Sequence, residues 1–152
     1  MKVRFFRPSD GRRCHYIIKK CLFTVNKKED SLATRKNLAK NNTPKRLLEK
    51  NSMEKIYVAE DKNKVVGIIG IDDVGIIHHL FVDPRYHGKG IGSALLQKTI
   101  TTAKKHKLKK VTTHSSILAD GFYKKHGFKR IRKHTRKWLN SKITYIKMEK
   151  KI

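Results

Sequence analysis

Leu80-Phe81-Val82-Asp83-Pro84-Arg85-Tyr86-His87-Gly88-Lys89-Gly90-Ile91-Gly92-Ser93-Ala94-Leu95-Leu96 is the stretch from which the rest of the chain is read. It begins as a strand and ends as a helix. The loop between has glycines at alternate positions, Gly88, Gly90 and Gly92, and one lysine, Lys89. A glycine-rich loop running into a helix N-terminus suits an anion. Without side chains the anion reaches the backbone, several N–H groups point one way, and the helix dipole adds about half a positive charge.

Two nucleotide readings of this loop fail on named residues. A Walker A loop ends in Gly-Lys-Ser/Thr, but Lys89 is followed by Gly90, so the magnesium-binding hydroxyl is missing. A dinucleotide fingerprint needs a third glycine where Ser93 stands, and an acidic residue about 20 positions on. Residues 110–114 read Lys-Val-Thr-Thr-His, with no acid.

Upstream lies a β meander. Strands are expected at 56–59, 65–71 and 76–82, joined by turns at Glu60–Asn63 and Asp72–Gly75. Turns this short impose antiparallel pairing. Further upstream, residues 3–7 read as a strand, and apolar residues from Tyr16 to Val25 recur at helical spacing, predicting a helix over 10–26. Residues 31–50 form a weaker helical region in which Pro44 interrupts or starts a helix.

Downstream, Leu95, Leu96, Ile100 and Ala103 share one face of a helix over 92–106. A short strand starts at Val111, a helix runs over 117–125 with Gly127 as its C′ residue, and strands at 128–132 and 143–148 form a hairpin around 138–141. The order is β α α β β β α β α β β. A parallel, right-handed crossover spans 76–115, giving a mixed α/β sheet with helices on both faces.

The loop and its neighbour downstream closely resemble the GNAT superfamily of acetyl-CoA-dependent N-acetyltransferases. Val82 to Leu96 is similar to that family's Val-x-Pro-x-x-Arg/Gln-x-x-Gly-x-Gly/Ala motif, with His87 to Gly92 as its core. Ser116-Ile117-Leu118-Ala119-Asp120-Gly121-Phe122-Tyr123-Lys124-Lys125-His126-Gly127-Phe128 resembles its Ala-x-x-Phe-Tyr-x-Lys-x-Gly-Phe segment. The resemblance implies a single GNAT-like domain over 1–152, with a mostly antiparallel sheet of six to seven strands and about four helices.

It also implies acetyl-CoA as co-substrate and no metal. The backbone of His87, Gly88, Lys89, Gly90, Ile91, Gly92 and Ser93 would hold the pyrophosphate, and that of Leu80, Phe81 and Val82 the pantetheine arm. The N–H of Phe81 or Val82 would polarise the acetyl carbonyl. Ser116 takes either a cofactor contact or a plain helix cap.

Tyr123 stands at the general-acid position, with Phe122 left for the core. His78 matches a histidine position of arylalkylamine acetyltransferases and is a candidate base. His78 and His79 are adjacent on a strand, so they should face opposite sides. Glu60 and Asp73 are fallback bases. His87 stands where the family has Arg or Gln and would contact phosphate more weakly, with Arg85 and Lys89 close enough to supply charge.

The 152 residues carry a net charge of +26. The acids gather in residues 54–83, where six stand against three basic residues. That partition suits a cationic amine acceptor at the meander and an anionic co-substrate elsewhere. The same field would attract nucleic acid or ribosomes. No apolar run approaches the roughly 18 residues of a membrane span, and the N-terminus lacks a signal-peptide core, so a cytoplasmic location is expected. Cys14 and Cys21 show no metal or redox spacing; reduced thiols are expected. The rival functions are a non-catalytic acyl-CoA-binding module and a basic nucleic-acid-binding protein. A homodimer is common in the resembling family.

Overall fold

The computed structural model describes residues 1–152. Seven strands make one sheet: β1 (Lys2–Phe5), β2 (Lys55–Asp61), β3 (Lys64–Ile71), β4 (Ile76–Val82), β5 (Lys110–Ser115), β6 (Lys129–Trp138) and β7 (Ser141–Lys151). Five helices accompany them: α1 (Gly11–Lys20), α2 (Leu32–Lys40), α3 (Pro44–Lys50), α4 (Ile91–Lys105) and α5 (Asp120–Lys125). The spatial order is β1-β2-β3-β4-β5-β7-β6. Every neighbouring pair is antiparallel except β4–β5. The parallel crossover is present, and the element order is as expected except that three helices rather than two lie between β1 and β2.

β3 is the centre of the molecule. Its Val and Ile residues favour a pleated backbone, and all of them are buried because helices cover both faces. On one face, Leu95, Leu96, Ile100 and Ala103 of α4 pack against Val66, Ile69 and Ile71. On the other, Cys14, Ile17 and Ile18 of α1 pack against Ile56, Val58 and Ile68. Each fully buried aliphatic side chain contributes about 1.5–3 kcal/mol. Cys14 and Cys21 are free thiols, pushed up to about 12 chiefly by burial, and are therefore inert.

The helical region differs most from expectation. The single helix over 10–26 stops as regular α-helix at Lys20, widens into a π-helical turn over Cys21–Val25 and tightens to 3-10 over Asn26–Lys28. The Thr24 hydroxyl donates to the Lys20 carbonyl, and Cys21 Sγ donates to the Val82 carbonyl at 3.1 Å. The first contact competes with the helical ladder for the Lys20 carbonyl, and the second ties the widened turn to β4. Pro44 starts a helix rather than interrupting one. It occupies the first turn of α3 behind Thr43, whose hydroxyl accepts from the Arg46 N–H. α5 begins at Asp120, three residues later than expected.

β6 and β7 run well beyond the expected 128–132 and 143–148. Their lysines and arginines hide any alternation, yet β7 is hydrogen-bonded on both sides. α2 docks on the hairpin tip: Asn37 Nδ2 donates to Asn140 Oδ1 at 2.9 Å, and the Thr34 hydroxyl donates to the Lys142 carbonyl at 2.7 Å. No helix is long and apolar enough to cross a membrane.

Candidate functional site

β4 and β5 pair only through Ile76↔Thr112 and Ile77↔Thr113. Beyond these positions β5 continues along β7 and β4 turns away. The gap opens into a cleft of about 880 Å³, lined by β4, the glycine loop, the start of α5 and the segment after α1. In β3–β4, Asp83 N–H donates to the Val66 carbonyl. Alternation along an antiparallel pair then directs Phe81 toward β3 and the backbone of Leu80 and Val82 toward the gap. Consistently, the Val82 carbonyl accepts from His87 Nε2 and Cys21 Sγ outside the ladder.

The loop lies at one end of this cleft. Asp83 caps its first turn through a bond from the Arg85 N–H. The His87 N–H is used by the Pro84 carbonyl. The N–H groups of the next six residues, Gly88 to Ser93, have no protein acceptor. They comprise the loop and the N-terminal turn of α4. Gly88 and Gly90 both have φ +77, which side chains disfavour, and an added Cβ would meet no protein atom within 4 Å. Here is a stretch of free donors whose approach is open.

His78 and His79 do not face opposite sides. Ile69 opposes two residues, His79 and Leu80, so a bulge interrupts the pleat, and His79 has φ +56. Both imidazoles therefore lie on one side, their ring centroids 5.5 Å apart. Between them reaches Glu54, at 2.7 Å from His79 Nε2 and 4.0 Å from His78 Nε2. His78 Nε2 also lies 3.0 Å from Asp72 Oδ2. Burial would raise the Asp72 carboxyl, but His78 and the backbone N–H groups of Ile76 and Val74 together hold it below its ordinary value. Burial lowers His79, against the opposing pull of Glu54.

The fallback bases are elsewhere. Glu60 is held by Arg4 at 2.6 Å and Asp73 lies in the β3–β4 turn, so neither lines the cleft. The acids of residues 54–83 form no single face, because Glu60 and Asp61 pair with groups of β1.

Tyr123 lines the cleft and is buried between Phe122 and Phe128. Burial pushes its phenol up to about 12, with Thr113 partly offsetting this. The core role expected of Phe122 thus falls on Tyr123 as well, while half-buried Phe122 packs on Gly92. Ser116 lines the cleft, and its hydroxyl accepts from the Ala119 N–H within the turn before α5 rather than capping the helix, whose N-cap is Ala119. Arg85 is not free to assist at the loop: its guanidinium is bonded to Asp83 at 2.9 Å and 3.2 Å. Lys89 sits over the Tyr86 ring, 5.1 Å from its centroid.

Residues 24–152 match the family profile of the acetyltransferase (GNAT) domain. The chain belongs to the GNAT family. A curated relative, an uncharacterised N-acetyltransferase of Methanocaldococcus jannaschii, is 35% identical over 94 residues. That match covers 53% of this chain and 42% of the relative, so this GNAT chain spans less than half of the relative's length. Two solved structures share the fold at 18% identity. A GCN5-related N-acetyltransferase from Rhodopseudomonas palustris has a TM-score of 0.92, covering 99% of this chain and 95% of that one. The PaiA N-acetyltransferase of Thermoplasma acidophilum, solved with coenzyme A, has a TM-score of 0.84 over 99% and 98%.

Two acids that line this GNAT cleft, Glu29 and Asp30, escaped the sequence reading, and so did Glu54, which meets His78 and His79 without lining the cleft. Glu54 was visible only as one acid of a cluster. Glu29 and Asp30 line the cleft from the segment before α2. The Glu29 carboxylate accepts from the N–H groups of Ile117 and Leu118, closing the cleft toward α5. The Asp30 carboxyl is pushed up to about 6 by burial, with Glu29 adding and Arg35 opposing. No local motif marks any of them.

Proposed function

We propose that this GNAT domain transfers an acetyl group from acetyl-CoA to a primary amine by direct attack. The observation that carries this is the run of six unpartnered N–H groups, Gly88 to Ser93, at the mouth of the β4–β5 gap. The residues present fit the co-substrate. Free donors and a helix N-terminus suit a pyrophosphate. The outward backbone of Leu80 and Val82 offers strand-like partners to the pantetheine arm. Acetyl-CoA supplies a thioester; the chain supplies position, polarisation and proton transfer.

Val82 is preferred over Phe81 as the polarising N–H, because Phe81 is turned toward β3. Tyr123 is the general acid. Its raised value keeps the phenol protonated, though it donates less readily than an ordinary tyrosine to the departing thiolate, whose conjugate thiol has a pKa of about 8.5. His78 is the base, oriented by Asp72: if Nε2–H donates to Asp72, Nδ1 is left to accept a proton. His87 and Ser116 stand beside the co-substrate. Glu29 and Asp30 in the cleft lining, with Glu54 and Asp72 behind His78, suit an acceptor that arrives as an ammonium.

Thiol release from acetyl-CoA across a panel of amines and peptides tests this reading. Turnover is expected with at least one amine. Tyr123→Phe should lower kcat about 100-fold and leave acetyl-CoA affinity within twofold. Acetyl-CoA binding without turnover across the panel would favour a non-catalytic acyl-CoA-binding module. Absence of binding would overturn the loop assignment itself.

A further inference from the structure

We infer that Glu54, His78 and His79 form a three-ligand site for a divalent transition-metal ion, with zinc the best match. One carboxylate and two imidazoles is a donor set of open zinc sites, which keep a fourth position free. One ligand atom from each residue lies within 4.8 Å of the other two. The residues come from two strands, β4 and the approach to β2, and no sequence spacing reveals them.

The decisive feature is a mismatch. Glu54 Oε1 and His79 Nε2 stand 2.7 Å apart, both without solvent exposure, yet neither makes a hydrogen bond. Their separation is short enough, but the carboxylate oxygen lies off the axis along which the ring nitrogen donates or accepts. Two buried polar atoms left this way cost about 1–3 kcal/mol each. Two ligands of one tetrahedral zinc ion, bonded at about 2.0–2.2 Å, stand about 3.3–3.6 Å apart and off each other's axes, so the pair needs to open by under about 1 Å to admit the ion. A shared ion satisfies both atoms; a direct bond satisfies neither.

The surroundings favour a cation. Only about one tenth of either the Glu54 or the His79 side chain is exposed, so the two ligand atoms face a largely enclosed space. Asp72 Oδ2 adds a second carboxylate 3.0 Å from the same His78 Nε2 that faces Glu54. The Lys50 ammonium is committed elsewhere, to the Asn41 carbonyl at 2.8 Å and Asn42 Oδ1 at 2.9 Å. Gly70 makes the space: a Cβ there would lie 2.9 Å from Glu54 Oε1 and 3.2 Å from His79 Cδ2. The ion takes no part in acetyl transfer. It would occupy the His78 side chain proposed as base, so occupancy opposes turnover.

The test is titration of the full-length, chelator-treated protein with Co²⁺, read by visible d–d absorption, and displacement by Zn²⁺. This readout does not depend on acetyl transfer, so it stands or falls apart from the proposed activity. One equivalent is expected to bind, with Glu54→Gln and His79→Asn each weakening affinity at least tenfold and His134→Ala having no effect. Should His79→Asn fail to fold by circular dichroism, the isosteric Glu54→Gln decides alone. No saturable binding, or binding that survives Glu54→Gln at full strength, overturns the site.

Discussion

At the scale of the residue, glycines and one bulge decide what the site can do. Gly90 has φ +77 and no protein atom near an added Cβ. Gly90→Ala therefore meets backbone strain but no clash, and should cost about 1 kcal/mol of stability. If the loop holds a pyrophosphate, the same change should weaken CoA binding more than tenfold. A thermal melt and a calorimetric titration separate these effects; equal small losses in both would count against the cradle. His79 shows the limit of reading residues in a strand. Two adjacent histidines in a regular strand face apart, but the extra residue of the bulge turns both toward Glu54. Nothing in the local sequence encodes that bulge, because it comes from how β3 and β4 register.

At the scale of the element, Asp83 ties three pieces together. Its fully buried carboxylate accepts from Arg13 of α1 at 2.6 Å and from Arg85, and it caps the turn that opens the glycine loop. The Arg85 guanidinium, foremost among these contacts, holds the carboxyl well below its ordinary value despite burial. Because the folded value is depressed, the stabilisation is complete above the unfolded value of about 3.9 and is lost as pH falls through the folded one. Asp83→Asn should cost about 2 kcal/mol at pH 7, a moderate figure because both arginines reach solvent. Urea unfolding should show the gap between wild type and variant narrowing below about pH 4. The glycine loop that follows was legible in sequence; the Asp83 cap and the reach of Arg13, seventy residues away, were not.

At the scale of the whole molecule, charge is the dominant fact. A net +26 on 152 residues means that the folded state repels itself. Raising salt from about 10 mM to about 150 mM shortens the screening length from about 30 Å to about 8 Å. Tm should therefore rise over that range, as scanning calorimetry can check; a falling Tm would mean that ion pairs outweigh repulsion. Part of the charge has a structural use. β6 is an edge strand, and exposed Lys129, Arg130, Arg132, Lys133, Arg136 and Lys137 blunt it against pairing with other chains. The same charges concealed its length, since a strand exposed on both faces shows no apolar alternation.

The sequence by itself determined the order of elements, the parallel crossover, the glycine loop and the family. The first three rest on local rules, periodicity, turn length and the backbone freedom of glycine, and the family on the resemblance of two motifs. The widening after Lys20, the meeting of Glu54 with both histidines, the burial of Tyr123 and the diversion of Arg85 to Asp83 were decided only by the tertiary structure. Each depends on contacts between residues far apart in the chain, or on competition for a partner that only the folded molecule supplies. The loop that opens the chain's reading can hold an anion because of its own residues. What happens beside it depends on where two strands part.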